Sequence, residues 1–109
     1  MTKYTSKLTV NILTFRTKKK ILNDCINSID KSIPINIIEN SANFENEAYF
    51  KKKRKNLNIL CTGNNYGYGK GHNYVFSKTK SRYALICNPD VIFKKNYFKK
   101  VNKYLKKKN

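Results

Sequence analysis

The feature that most constrains this chain is Arg82-Tyr83-Ala84-Leu85-Ile86-Cys87-Asn88-Pro89-Asp90-Val91-Ile92-Phe93, an apolar run that stops at a carboxylate and then resumes. Tyr83 to Cys87 is short and uncharged, with a basic segment before it and a proline soon after, which is the pattern of a buried strand. Pro89 has no N–H to give a sheet ladder and biases Asn88 toward extended backbone, so the strand ends there. Asp90 then stands just past a strand's carboxyl end. In an open α/β sheet that edge is where ligands bind, so an acid there is a candidate contact to a metal or polar ligand. The same residues also suit an Asx or Pro-Asp turn that carries no chemistry.

Working back from this strand, the chain repeats the pattern three times. Leu8 to Phe15 alternates apolar residues with threonines and reads as a first, central strand, with Thr14, Arg16 and Thr17 at its carboxyl end. From Lys20 to about Ser32, the offsets of Ile21, Leu22, Cys25, Ile26 and Ile29 place one apolar stripe on a helix. After Pro34, the β-branched Ile35, Ile37 and Ile38 form a second strand, completing a βαβ unit. Glu39-Asn40-Ser41 closes it, readable as a turn with an N-cap for the next helix. Glu45 to Lys55 is polar and predicts a weakly held helix. Leu57, Ile59, Leu60 and Cys61 form the third strand.

The third strand leads into Thr62 to Asn73, which holds all 4 glycines of the chain. Such a loop suits backbone packed closely against a partner, a phosphate at a helix N-terminus included. It has neither the Gly-Lys-Ser/Thr ending of a Walker A loop nor the dinucleotide fingerprint spacing. His72, the single histidine, reads as a helix-start or surface residue, and Tyr74 to Lys78 as a short helix. From Lys95 to Lys108 the spacing predicts an amphipathic helix with Tyr97, Phe98, Val101, Tyr104 and Leu105 on one face. That helix suits packing against the sheet, and its lysines also suit an anionic surface.

At 109 residues the chain is one domain, with a single core and no room for two lobes around a large substrate. Its 24 Lys and Arg against 6 acids give a net charge of +18, which attracts polyanions. The excess is almost all lysine, and only Arg16, Arg54 and Arg82 can make fork-like contacts to phosphates or bases, so the charge argues little for nucleic acid. Cys25, Cys61 and Cys87 lie in separate apolar patterns. Their odd number without paired spacing argues for free thiols in a reducing compartment and against a disulfide framework or zinc site. With no secretory leader and no apolar run near membrane-spanning length, the expectation is a cytoplasmic protein, with contact to an anionic membrane face left open to its lysines.

Across the chain, polar features end successive strands at Thr14, Glu39, Asn65 and Asp90. In this order the sequence resembles the amino-terminal half of a family 2 glycosyltransferase of the bacterial rhamnosyltransferase-like branch, from about Leu8 to Leu105. The matching motifs are Thr14-Phe15-Arg16, Glu39-Asn40-Ser41, the loop Asn65-Tyr66-Gly67-Tyr68-Gly69-Lys70-Gly71-His72-Asn73, and Asn88-Pro89-Asp90 in place of a more general Asp-x-Asp. No one of these is specific; their order and spacing together are.

The resemblance implies an α/β, Rossmann-like fold, with a mostly parallel sheet, helices on both faces and an incomplete GT-A architecture. It implies transfer of a sugar from a UDP- or dTDP-sugar to a saccharide acceptor in surface polysaccharide synthesis. By the same resemblance Asp90 holds Mg²⁺ or Mn²⁺ against the donor diphosphate, and Asn88 hydrogen-bonds ribose or sugar. Glu39 stands where the family has the aspartate that reads the base, with its acceptor moved by about 1.5 Å, one carbon–carbon bond. Thr14 and Arg16 are implied as nucleoside contacts, and Asn65 and Asn73 as loop-shaping or donor contacts. The family's proposed general base and most of its acceptor pocket come from a second half that these residues do not include. The expectation is therefore a donor-binding half without catalytic apparatus of its own, with a second chain or a homodimer completing the sheet.

Two other readings use the same residues. One is a small basic module for RNA or another polyanion, using some of its 8 tyrosines and 6 phenylalanines for stacking. The other is a non-catalytic remnant that docks on a partner through an open sheet edge after the fourth strand.

Overall fold

A computed structural model describes residues 8–63 and 82–107 of the chain. The elements run β1 (Leu8–Thr14), α1 (Lys19–Asn27), β2 (Ile35–Glu39), α2 (Glu47–Lys53), β3 (Leu57–Cys61), β4 (Tyr83–Cys87) and α3 (Tyr97–Lys107). All three strand pairings are parallel, and the order across the sheet is β3-β2-β1-β4. The expected α/β fold, a parallel sheet flanked by helices, is the one observed. The glycine loop with Asn65, His72 and Asn73, and the helix expected at Tyr74 to Lys78, lie outside the described residues.

The register explains the core. Val10, Ile35, Leu57 and Leu85 stand in one row across the sheet, and Ile12, Ile37, Ile59 and Cys87 in the next. Successive residues of a strand point to opposite faces, so these rows share one face. They form a single cluster with Leu22, Cys25 and Ile26 of α1, Phe50 of α2, and Phe98 and Leu105 of α3. The β-branched and leucine content of β1 and β2 suits strands buried on both sides. On the other face the register aligns Asn11, Asn36 and Asn58. Asn58 Nδ2 donates to Asn36 Oδ1 at 3.4 Å, and Asn36 Nδ2 to Asn11 Oδ1 at 3.1 Å. Asn11 Nδ2, fully buried, ends that row without a hydrogen-bond partner among the described residues.

α1 is shorter than its apolar stripe predicts. It stops at Asn27, and Ile29, though buried, belongs to the turn beyond it. There the Asp30 carboxylate accepts from the Ser32 N–H at 2.9 Å and hydroxyl at 2.8 Å, a local bond that competes with helix continuation and holds the Asp30 carboxyl below its usual range. The freed carbonyls of this end are taken up by Arg54, which follows α2. Its guanidinium donates to the carbonyls of Ile26 and Ile29 at 3.2 and 2.9 Å, of Ile33 at 2.8 Å and of Asp30, while its Nε donates to Asn56 Oδ1 at 3.0 Å. Arg54 is therefore buried, with its donors engaged by four backbone carbonyls and the Asn56 side chain, which removes it from the arginines expected to reach phosphates or bases. Burial is also what lowers its pKa.

β3 and β4 are the edges of the sheet among the described residues. After β4 the chain turns back along α1, where the Ser28 hydroxyl accepts from Phe93 N at 2.9 Å. α3 then buries Phe98 and Leu105 and half-buries Val101, whereas Tyr97 and Tyr104 remain exposed. The expected five-residue apolar face is thus narrower than the sequence pattern, because a helix set on a sheet covers only the stripe aimed at it.

Arg54 holds four carbonyls through its guanidinium. The Ile26 and Asp30 carbonyls also accept from the N–H groups of Ile29 and Ile33, so Arg54→Met leaves the Ile29 and Ile33 carbonyls without a described donor and, at about 1 kcal/mol each, should cost about 2 kcal/mol, with Arg54→Lys recovering only part of it. Urea unfolding checks this; a loss below about 1 kcal/mol for Arg54→Met would show that water replaces the guanidinium without cost.

Candidate functional site

Because every described strand runs the same way, Thr14, Glu39, Cys61 and Cys87 end at one edge of the sheet. The strand order reverses direction at β1, which has β2 on one side and β4 on the other, and ligands of open α/β sheets bind outside the carboxyl ends at such a point. Three of the four polar strand ends expected from sequence therefore stand on one rim; the fourth, Asn65, lies outside the described residues.

Thr14 and Glu39 are register partners on the face that carries the core. That pairing brings their side chains together: Thr14 Oγ1 donates to Glu39 Oε1 at 2.5 Å. Glu39 Oε2 accepts from the Arg16 backbone N–H at 3.0 Å and lies 2.6 Å from the Ser41 hydroxyl. Ser41 Oγ is also 2.9 Å from the Asn43 carbonyl, so its one proton serves either acceptor. The carboxylate is only 1% exposed and has no cation paired with it among the described ion pairs. Its charge is met instead by donors from three places in the chain, the usual condition for a buried carboxylate.

This arrangement shapes both loops. Arg16 has φ +51, a left-handed conformation rare outside glycine, and its N–H bond to Glu39 holds it there. Its guanidinium lies 5.4 Å from the centre of the exposed Phe15 ring. Ser41 does not cap α2, whose N-cap is Asn46 without a side-chain bond. Further backbone bonds fasten the rim: Asn40 N to Thr14 O at 2.9 Å, Thr62 N to Glu39 O at 2.9 Å and Gly63 N to Ser41 O at 3.1 Å. The loops enclose an open cavity of about 530 Å³ lined by Arg16, Lys18, Lys19, Glu39, Ser41 and Phe44 among others. Three cations against two carboxylates, the buried Glu39 and Glu45, leave a positive balance that suits an anionic ligand which also carries a hydrogen-bond donor.

Asn88 and Asp90 stand apart from this cavity. They lie past the end of β4, across β1 from Glu39, in a turn where Val91 N approaches Asn88 O at 3.4 Å. Both side chains are exposed. The structure thus joins Thr14, Arg16 and Glu39 in one network and sets Asn88 and Asp90 on the same rim beyond it. Thr14 itself is buried with its hydroxyl donated to Glu39, so it acts on any ligand through that carboxylate. No group of three or more His, Cys, Asp or Glu side chains gathers for a metal ion among the described residues.

Sequence spacing gives no sign of one further contact. Cys25 and Cys87, far apart in the chain, meet beneath the Asn88-Pro89-Asp90 turn. The Cys25 thiol reaches toward the Asn88 carbonyl at 4.0 Å, and the neighbouring Cys25 thiol, with burial, pushes the Cys87 thiol far up, keeping it protonated. All three cysteines are free.

The same fold occurs in solved structures of S. aureus TarS. TarS 1-349 superposes with a TM-score of 0.78 at 18% identity, over 93% of this chain and 32% of TarS 1-349. TarS 1-349 in complex with UDP gives the same values, and the longer TarS structure gives 0.77 over 20% of its length. The chain spans about one third of the TarS 1-349 structures. No protein-family model matches the chain, and no curated protein matches it.

If the Glu39 carboxylate braces the rim, Glu39→Gln, which keeps an acceptor for Arg16 and Ser41 and lets the Thr14 hydroxyl accept from its amide, should cost only about 1 kcal/mol. Glu39→Ala, which strands the Thr14 hydroxyl and the Arg16 N–H while Ser41 keeps the Asn43 carbonyl, should cost about 2 kcal/mol. Equal losses from the two substitutions, read from denaturant midpoints, would contradict the brace.

Proposed function

We propose that this chain is the donor-binding part of a nucleotide-sugar-dependent glycosyltransferase, holding a UDP- or dTDP-sugar at the carboxyl rim of its sheet for transfer to a saccharide acceptor. The observation that carries the reading is the cavity between the loops after β1 and β2, where a braced carboxylate is set among Arg16, Lys18 and Lys19. The fold shared with TarS, one of whose structures is a complex with UDP, supports it.

The roles follow from what each atom has left to give. Glu39 Oε2 already takes two donors, but Oε1 takes only Thr14, which leaves acceptor capacity for an N–H of a pyrimidine base at the cavity wall. Arg16, Lys18 and Lys19 supply positive charge around the nucleoside and its phosphates. Asn88 offers neutral donors and acceptors to ribose or sugar. Asn65 and Asn73 belong to this reading as donor-side contacts on the glycine loop.

Asp90 is the exposed carboxylate just past the end of β4 that can meet a divalent cation, since Glu39 is buried and holds three donors. A single exposed carboxylate fits Mg²⁺ or Mn²⁺ held mainly by ligand phosphates and water, not by a cage of protein groups. Bound there, such an ion neutralises charge on the leaving diphosphate. Transfer also needs an acceptor hydroxyl held and deprotonated beside the anomeric carbon, and no described residue is positioned for that step by the network above. We assign those groups to a second half-domain or partner chain.

Calorimetric titration with UDP and dTDP, with and without Mn²⁺, tests the proposal. Binding should tighten at least tenfold with Mn²⁺, and Asp90→Ala should remove that gain while leaving uridine binding unchanged, a loss of about 1.4 kcal/mol. Absence of binding by either nucleotide at millimolar concentration would overturn it.

A further inference from the structure

The segment after the Asp90 turn carries a surface that the nucleotide reading does not use. Val91 to Lys107 contains seven lysines and no aspartate, glutamate or arginine. In α3 the spacing of Tyr97, Lys100, Tyr104 and Lys107, at i, i+3, i+7 and i+10, sets them along one side of the helix. Phe98 and Leu105 are turned into the core, about a third of a turn away at 100° per residue. Tyr104 is 57% exposed and Tyr97 36% exposed, and Ile92, just ahead of the helix, is 67% exposed. Large apolar side chains are thus left in water among lysines, although the helix has a buried stripe of its own.

We infer that this side of α3 is a docking surface for an anionic lipid bilayer. The chemistry is complementary on both counts. Tyrosine rings place an apolar body at headgroup depth with a hydroxyl toward water, and lysines lay their carbon stems along the surface while the ammonium meets lipid phosphate. The helix is too short and too charged to enter the bilayer, and no described helix is long and apolar enough to cross one, so the contact is peripheral. RNA would draw on the same charge but fits less well. There is no arginine here to fork onto phosphate or guanine, and the Tyr97 ring is already packed against Phe93 and Phe98, each with centroids 5.1 Å away, so it is not free to stack on a base.

Co-sedimentation of the full chain with vesicles tests this, using phosphatidylcholine alone and phosphatidylcholine with about one-third phosphatidylglycerol, at low and physiological salt. The protein should bind the anionic vesicles and not the neutral ones. Each lysine near such a surface is worth about 1 kcal/mol, about fivefold, so the triple variant Lys100→Gln, Lys103→Gln, Lys107→Gln should bind about a hundredfold more weakly. Tyr104→Ser should weaken binding several-fold at unchanged charge. The matched triple variant Lys51→Gln, Lys52→Gln, Lys55→Gln, on and beside α2, should bind like the parent. Equal losses from the two triple variants would show diffuse attraction by the +18 charge and overturn the proposal. So would an oligonucleotide RNA that binds through the α3 lysines while anionic vesicles do not. Should the α3 triple variant fail to fold, Tyr104→Ser decides, since binding unaffected by it would exclude α3 as the docking face.

Discussion

The rim of this sheet depends on one buried charge, the Glu39 carboxylate at the end of β2. A carboxylate out of water is tolerable only when its lone pairs are met, and here the Thr14 hydroxyl, the Arg16 N–H and the Ser41 hydroxyl meet them. Each donor comes from a different piece of chain, so satisfying the charge fixes the end of β1, the left-handed turn at Arg16 and the loop after β2 at once. The cavity exists because these loops cannot collapse onto each other without stranding the donors or the charge. An open cavity is thus built from a folding constraint.

The two ends of the sheet divide the work. At the carboxyl end, polar side chains are held by each other and leave cations and an exposed carboxylate facing outward. At the amino end, Arg54 closes α1 by giving its guanidinium to backbone carbonyls. The same residue type therefore serves as an exposed, cavity-lining charge at Arg16 and as an internal fastener at Arg54, and burial distinguishes them. The high net charge is likewise not one feature. Part is internal, part lines the cavity, and part is gathered with exposed tyrosines on α3.

Much of this is legible in the residues. Short apolar runs bounded by proline or polar turns locate all four strands, because the strands of a parallel sheet buried on both sides leave an almost unbroken apolar signal. The alignment of Thr14, Glu39 and Asp90 on one edge follows from strand polarity. The Glu39 network is half visible: the acid and the serine stand out, but the sequence does not say that Thr14 and Glu39 share a register row, and only that row makes them partners. Arg54 reads as a free fork because its partners are carbonyls, which every residue has. The helix stripe extends too far, to Ile29, because a buried turn keeps the helical spacing for one more residue. The meeting of Cys25 with Cys87 is a product of α1 packing beneath the β4 turn, for which no local pattern exists.

The proposed site requires a diphosphate ligand that bridges the two parts of the rim, the cavity between Arg16 and Ser41 and the carboxylate of Asp90. Paramagnetic broadening of backbone amide resonances tests it most directly, with Mn²⁺ added to the protein before and after UDP. Mn²⁺ with UDP should broaden the amides of Asn88, Asp90 and Val91, while UDP alone should shift those of Arg16, Glu39 and Ser41. Broadening centred on Glu45 and Glu47 and indifferent to UDP would contradict such a site, since the ion would then be following surface carboxylates and not a diphosphate held at the sheet.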